Sequence, residues 1–262
     1  MSLTGRSVSS WYKDLLEISN SNSGVDSTLR PIKSGEGTSS AVYISTGKAK
    51  ILPSADSSTT LDVQDKDGNT KLVVDTSHDY VKALGHHVNT QYVNFNANSG
   101  DSRWSAMSAN THYFVPFQNG NSQDGVTSIG TSTNPDTSLT ISTTADNVVT
   151  CMWYVMDNIT IDRAVWWSGA DDATGDTIRA HIMQYDIVSD NSSTSGDLSN
   201  GVVLCDGASD ITNAGYEQSY YQQMIVQTAN VDAGKAVFFC FRSDSVNSDF
   251  SINATIKFHL RV

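Results

Sequence analysis

The sequence has only three cysteines, few basic residues and no apolar run long enough to span a lipid bilayer. Cys151, Cys205 and Cys240 are widely spaced within apolar runs and form no CxxC pattern. We therefore expect three reduced core thiols and no zinc or redox motif. The N-terminus also lacks the apolar core of a secretory signal peptide, so we expect folding in a reducing cytoplasm and no membrane insertion.

Charge is sparse and mostly negative. Charged residues make up 17% of the chain, and 16 basic residues against 28 acidic ones give a net charge of −12. This balance argues against nonspecific binding to DNA or to anionic membranes, and we expect no nucleic-acid partner. Hydrophobic residues still make up 38% of the chain, which excludes a wholly disordered protein. The abundant small polar residues favour short strands joined by turns.

Residues 1–20 differ from the rest of the chain because they predict a short amphipathic helix. Its apolar residues recur at helical spacing and form one stripe. They are Trp11, Tyr12, Leu15, Leu16 and Ile18. An isolated helix this short is marginal in water, so its apolar side must be covered by another surface. We therefore expect these residues to dock the chain onto an assembly.

Residues 21–90 predict a small β-rich region. The clearest feature is a hairpin around Asp67 and Gly68, a pair that supplies positive φ at low cost. Residues 65–69 do not match the EF-hand pattern, so we interpret them as a hairpin turn and not as a calcium loop. The strands carry few large apolar residues, and association of several copies around an axis would supply the missing core. We therefore expect an oligomerising stem or collar.

Residues 91–262 predict the main body of the protein. About ten short strands joined by polar loops are typical of an antiparallel β-sandwich of the jelly-roll type. The apolar run at residues 148–156 predicts a central strand packed on both faces, and residues 251–262 alternate cleanly between apolar and polar. The predicted fold is thus mainly β, with an N-terminal helix, a stem, and a jelly-roll-like head at residues 91–262.

The head contains one candidate contact loop. Asp171, Asp172 and Asp176 lie in a Gly-rich segment that follows Trp167. The three carboxylates could bind Ca²⁺, but a solvated loop that uses Asp for turn geometry is favoured. In the aromatic pairs 166–167 and 220–221, one side chain should face the core and the other is free to stack on sugars or on a neighbouring subunit. We therefore treat Trp167, Asp171, Asp172 and Asp176 as a candidate contact loop.

No catalytic motif is present. The sequence contains no G-x-S-x-G elbow, no phosphate-binding Gly-rich loop and no paired metal-ligand spacing. The six histidines are interpreted as surface or hydrogen-bonded structural residues. We therefore expect no enzyme activity, no cofactor and no metal. The alternative of a carbohydrate-active depolymerase would need carboxylates facing each other across a cleft.

Two segments carry a resemblance to known proteins. Residues 29–46 (LRPIKSGEGTSSAVYIST) and 60–76 (TLDVQDKDGNTKLVVDT) resemble segments of virion structural proteins of tailed bacteriophages, marine phages in particular. Such proteins are commonly tail-fibre-like or capsid-decoration-like, are often trimeric, and carry a variable β-rich head. The resemblance implies a homotrimer located in the virion, bound to other virion proteins and presenting its head to a host-surface glycan or protein. A capsid decoration or head-fibre role is the alternative, and no catalytic residue is implied.

Overall fold

The fold was determined as a computed structural model. The residues that the structure describes are 16–18, 20–21, 23–97, 108–118, 127–141, 145–170, 177–207, 211–212, 218–244 and 250–261. The chain divides between Val88 and Asn89 into two compact units. Both units are mainly β, and the strands in both pair in antiparallel fashion.

The N-terminal unit contains two four-stranded sheets in which the strands follow chain order. The first sheet consists of β1 (Leu16–Ile18), β2 (Arg30–Ser34), β3 (Ser39–Ile44) and β4 (Ala49–Ile51). The second consists of β5 (Leu61–Gln64), β6 (Thr70–Asp75), β7 (Tyr80–Ala83) and β8 (His86–His87). Meanders of this kind need only short turns, in keeping with the polar segments between the strands.

The predicted N-terminal helix is wrong where the structure describes it. Leu16–Ile18 is strand β1, and it pairs with β2 so that Leu16 lies opposite Ser34 and Ile18 opposite Ile32. The physical reason is that a ladder with β2 satisfies the backbone groups of these residues, whereas a helix of this length is marginal by itself. The other residues of the predicted stripe, Trp11, Tyr12 and Leu15, lie outside the described residues.

The predicted hairpin turn is confirmed between β5 and β6. Gly68 has φ of +83°, a conformation that glycine adopts without steric cost. The Asp65 carboxylate accepts hydrogen bonds from the backbone amides of Asp67 and Asn69, both at 2.9 Å. The Asn69 amide hydrogen bond is the main cause that lowers the pKa of Asp65 to about 2. This carboxylate therefore stabilises the turn by accepting hydrogen bonds from its backbone.

In its described residues the C-terminal unit contains one large sheet and one short helix, α1 (Ala145–Cys151). The strands are β9 (Thr90–Ala97), β10 (Tyr113–Val115), β11 (Trp153–Tyr154), β12 (Ile159–Ala170), β13 (Thr177–Ile187), β14 (Leu198–Gly207), β15 (Ile211–Thr212), β16 (Gln218–Val226), β17 (Asn230–Val231), β18 (Ala236–Ser243) and β19 (Phe250–Leu260). Eight of them form the path β10-β18-β13-β14-β16-β12-β19-β9, and the short strands β11, β15 and β17 pair with β18, β13 and β12.

The two ends of this path approach each other, so the sheet is nearly closed. Phe95 of β9 forms an antiparallel bridge with Phe117, which follows β10. On either side of the bridge, the Asn96 amide donates to the Pro116 carbonyl at 3.0 Å and the Gln118 amide donates to the Asn94 carbonyl at 2.9 Å. Closure removes free sheet edges. The predicted jelly-roll arrangement of two stacked sheets is not confirmed by this strand order.

The apolar core of the C-terminal unit lies on both faces of β18. Its side chains alternate between two clusters, with Val237, Phe239 and Phe241 in the larger one and Ala236, Phe238 and Cys240 in the smaller one. The larger cluster also contains Trp166, a fully buried tryptophan. Cys151, Cys205 and Cys240 are buried and form no disulfide, which confirms the predicted reduced core thiols.

The predicted two-faced central strand at residues 148–156 is wrong. This run forms the end of α1 and the short strand β11. Val148 and Cys151 are buried in the smaller cluster whereas Val149 is exposed, which is the spacing of a helix that covers one face of a sheet. The strand packed on both faces is instead β18, whose first six residues are apolar and buried.

Candidate functional site

The candidate site is the outer face of strands β9, β19, β12 and β16, which are neighbours in that order. The inward side chains of these strands are apolar and buried, as Phe95, Ile256, Trp166 and Met224 show. Because side chains alternate along a strand, the residues between them point outward. The sequence alternation of β19 was predicted, and its buried and outward residues follow that pattern.

A groove with a volume of about 520 Å³ lies on this face. It is lined by Tyr92, Asp162, Arg163, Val165, Tyr221, Thr255 and Lys257. Strand register brings these residues together from distant parts of the chain. Lys257 of β19 lies opposite both Tyr92 of β9 and Arg163 of β12.

A β-bulge in β12 gives the groove its charged residues. The pairing with β19 shifts between Ile161 and Arg163, so Asp162 is an extra residue that lies opposite no residue of β19 in the strand register. As a result Asp162 and Arg163, which are consecutive, are both exposed, whereas a regular strand would turn one of them inward. The Asp162 Oδ1 atom lies 3.0 Å from Nδ1 of His259.

Arg163 and Lys257 are two cations placed directly opposite each other on adjacent strands. Like charges in this position destabilise a sheet. The Arg163 guanidinium donates a hydrogen bond of 2.7 Å to the hydroxyl of Tyr221. Across the described ranges of the chain, neither cation forms an ion pair with a carboxylate. The lining of the groove therefore carries two cations against the one carboxylate of Asp162, on a strongly acidic protein.

Exposed aromatic rings border the groove. Tyr92 is 62% exposed, Trp167 48% and Tyr221 46%. Trp167 and Tyr221 are directly opposite on β12 and β16, with ring centroids 5.1 Å apart. Trp166 is fully buried, so the prediction that one tryptophan of the pair faces the core is confirmed. Tyr220 is half-buried.

The structure places only part of the predicted contact loop. Trp167 lies within strand β12, not in a loop, beside the groove. Asp171, Asp172 and Asp176 lie outside the described residues. Of the predicted docking residues, Leu16 is exposed on β1 and Ile18 is half-buried.

A second cluster of ionisable groups lies in the interior, and the sequence did not predict it. His112 and His181 are fully buried, with ring centroids 5.0 Å apart. The Nε2 atom of His112 lies 3.1 Å from the Ser132 carbonyl oxygen, and Nε2 of His181 lies 3.2 Å from Oδ1 of Asp206. Asp206 is also paired with Arg179 at 2.9 Å.

Burial is the main cause that lowers the pKa of both histidines to about 4. Both rings are therefore neutral at physiological pH and pack in the interior as uncharged side chains. The interpretation of the histidines as surface or hydrogen-bonded residues fits His112, whereas the contact of His181 with Asp206 lacks the geometry of a hydrogen bond. A sequence signal existed: His181 lies between Ala180 and the consecutive apolar residues Ile182 and Met183, a run typical of a strand buried on both faces.

Within the described residues, no helix has both the length and the apolar character needed to cross a lipid bilayer. Comparison with protein-family models gives no match for this chain. Comparison with curated proteins gives no significant match either.

Proposed function

We propose that this chain is a structural, non-enzymatic component of a phage virion, of the tail-fibre-like type. In this proposal the N-terminal unit associates with two further copies of itself, and the first 20 residues dock onto other virion proteins. The C-terminal unit is presented to the host surface. Two things support the proposal: the resemblance of residues 29–46 and 60–76 to phage virion proteins, and the packing of the N-terminal unit.

The observation that carries the proposal is an apolar face on the second sheet of the N-terminal unit that is only partly buried within the described residues. Register aligns two rows of side chains across β5, β6 and β7 on the same face. The rows are Leu61, Val74 and Val81, and Val63, Leu72 and Ala83. None of these six side chains is buried, and Val63 is 46% exposed. An aligned apolar face of this kind normally packs against another layer.

The rest of the N-terminal unit, as far as the structure describes it, does not supply an apolar core. Among its described residues no apolar side chain is buried, whereas all the described buried apolar side chains belong to the C-terminal unit. A unit of 88 residues depends on such burial for its stability. Completing the burial of six aliphatic side chains stabilises each copy by an amount on the order of 5 kcal/mol. Association therefore supplies the apolar burial that the described residues of one N-terminal unit lack.

Copies of the same chain are the partner that this face fits. A net charge of −12 makes two copies repel each other wherever acidic surfaces meet. The six-residue face carries no charged side chain, so it is a surface through which copies can approach without that cost. Around a threefold axis the same face of each copy meets the other two, which closes the assembly.

The test measures the mass of the full chain in solution by sedimentation velocity or native mass spectrometry. We expect three times the single-chain mass for the natural sequence. Changing Val63→Thr and Val74→Thr together keeps side-chain shape but places hydroxyls on the apolar face, so we expect dissociation to single chains. The matched control is Val73→Thr. Val73 is next to Val74 on β6, but its side chain points to the opposite face of the sheet. This variant should leave the trimer intact.

Two results would reject this proposal. The first is a natural chain that stays monomeric at high concentration with its N-terminal unit folded. The second is a Val73→Thr chain that dissociates as readily as the double variant. The position on the particle is tested separately by imaging labelled virions, where copies at capsid lattice points would replace the tail-fibre role with capsid decoration.

A further inference from the structure

We infer that the groove on the outer face of β9, β19, β12 and β16 binds an acidic saccharide. The carboxylate or sulfate group of one sugar unit would lie between Arg163 and Lys257, and the sugar ring would lie against Tyr92 or Tyr221. This inference deepens the proposed attachment function, and it rests on that function for the source of the saccharide. It names the ligand class and the residues that recognise it.

The first argument is the placement of charge. Arg163 and Lys257 face each other across adjacent strands, at a cost in stability, on a chain with a large excess of acidic residues. No carboxylate pairs with either of them in the described part of the chain. An anionic group placed between them would remove their repulsion and gain two charge-assisted hydrogen bonds. The groove is thus complementary to a negative charge from outside.

The second argument is shape and aromatic content. The groove volume of about 520 Å³ falls within the range of roughly 300–1,000 Å³ that is usual for small-molecule sites. Tyr92 and Tyr221 offer exposed ring surface at its two sides, with Trp167 next to Tyr221. A pyranose ring has an apolar C–H face that packs on such rings, whereas a simple inorganic anion would have no use for them.

The third argument is the supply of fixed polar atoms for sugar hydroxyls. The Tyr221 hydroxyl is held by the Arg163 guanidinium at 2.7 Å. The Thr255 hydroxyl donates to Oδ1 of Asn94 at 2.8 Å, so its oxygen is oriented as an acceptor. Asp162, held by His259, adds a carboxylate at the rim. Groups that are already held lose little conformational freedom when a ligand binds.

The test is isothermal titration of the full chain with defined oligosaccharides. The carboxylate probe is a galacturonic acid hexamer, and its neutral counterpart is the fully methyl-esterified hexamer. The sulfate probe is a sulfated galactose hexamer, with the unsulfated hexamer as its counterpart. We expect at least one acidic probe to bind and its neutral counterpart not to bind. Affinity should fall as salt rises from about 0.1 M to about 1 M, where the screening length shrinks from roughly 10 Å to 3 Å.

Variants assign the binding to the groove. Arg163→Gln and Lys257→Gln should each lower the affinity for the acidic probe by roughly tenfold or more, because each removes a charge-assisted hydrogen bond. Lys66→Gln removes the same charge from an exposed hairpin residue and should leave affinity unchanged. Tyr92→Ala should also weaken binding, whereas Tyr154→Ala, an exposed tyrosine outside the groove, should not. Thermal midpoints no lower than that of the natural chain show that the variants remain folded.

Several outcomes would overturn the inference. They are binding of neither acidic probe, equal binding of acidic and neutral probes, or equal effects of Lys66→Gln and Lys257→Gln. A groove covered by a second copy in solution would give no binding and would count against it. The mass measurement separates this result from the proposed assembly: a trimer that binds no acidic probe rejects only the saccharide inference, and a monomer that binds it rejects only the trimer.

Discussion

The buried histidine pair makes the stability of the C-terminal unit depend on pH in a predictable way. His112 and His181 have pKa values of about 4 in the folded chain against an ordinary value of 6.5. The folded state therefore binds fewer protons than the unfolded state between these two values. Stability is unaffected by the pair above about pH 6.5, falls as pH drops below it, and stops falling below about pH 4.

The size of the effect follows from the two pKa values. At about pH 4.5, a single histidine whose pKa is about 4 instead of 6.5 destabilises the folded state by about 2.5 kcal/mol. The pair together approaches about 5 kcal/mol, which equals the whole stability of a marginal domain. We therefore expect partial or complete unfolding of the C-terminal unit at that pH.

The charged neighbours shift the pKa of His181 in opposite directions. Asp206 favours the protonated form of His181 and raises its pKa, whereas Arg179 and Arg242 lower it, as does His112. Burial is the largest cause and decides the direction. A cluster with one carboxylate and two guanidinium groups is already positive, so adding a proton to either imidazole adds repulsion.

The assay is urea unfolding of the full chain at steps of pH from about 7.5 to 4.5, followed by tryptophan fluorescence. Replacing His112→Gln removes one titrating ring and should reduce the loss of stability over this range by about half. The control His86→Gln changes an exposed histidine of the N-terminal unit and should leave the curve unchanged. If the His112 variant folds poorly, proton NMR of the natural chain should show both rings neutral down to about pH 5.

A stability curve that is flat between about pH 6.5 and 4.5 would refute the reasoning. So would a natural chain and a His112→Gln chain that lose stability in parallel. Either result would mean that the two rings take up protons in the folded state at little cost, which their complete burial does not allow.

Two further predictions concern the core. Burial raises the pKa of Cys205 to about 12 and that of Cys240 well above its usual range, so neither thiol should react with a disulfide reagent until the chain is unfolded. A Cβ atom on Gly201 would lie 2.5 Å from the buried ring of Tyr185, so Gly201→Ala should destabilise the chain by about 1–3 kcal/mol. Gly47→Ala, which meets nothing within 4 Å, is the control and should change stability by less than about 0.5 kcal/mol.

The strands of the C-terminal unit could be predicted where apolar and polar residues alternate without interruption. β19 shows this best: Ile252, Ala254, Ile256 and Phe258 are all buried, as a period of two requires. Alternation works here because one face of the strand packs on the core and the other faces water. The same reasoning separated buried Trp166 from its exposed neighbour.

The prediction failed where a run was apolar throughout. Residues 148–156 have too few polar residues to distinguish a period of two from a period of 3.6, so a helix was interpreted as a strand. At the N-terminus the opposite error occurred. Leu16 and Ile18 fit a helical stripe, but the partner strand β2, which the sequence pattern does not reveal, draws them into a sheet.

The groove could not be predicted because it depends on register. Arg163 and Lys257 are 94 positions apart, and only the pairing of β12 with β19 brings them together. Their exposure on one face further depends on the bulge at Asp162, which shifts the alternation by one residue. Nothing in the local sequence of β12 indicates where such an extra residue is accommodated.

The two proposals depend on different physical forces, and together they explain why an acidic chain would keep both features. A shallow groove that holds one charged sugar through two cations binds weakly by itself, since salt screens the contact and few atoms are buried. Three tethered copies convert weak contacts into strong attachment, because the second and third contacts form at high effective concentration. The apolar face of β5–β7 is the feature that would supply those copies. An attachment protein built this way needs no deep pocket, only a modest site repeated by association.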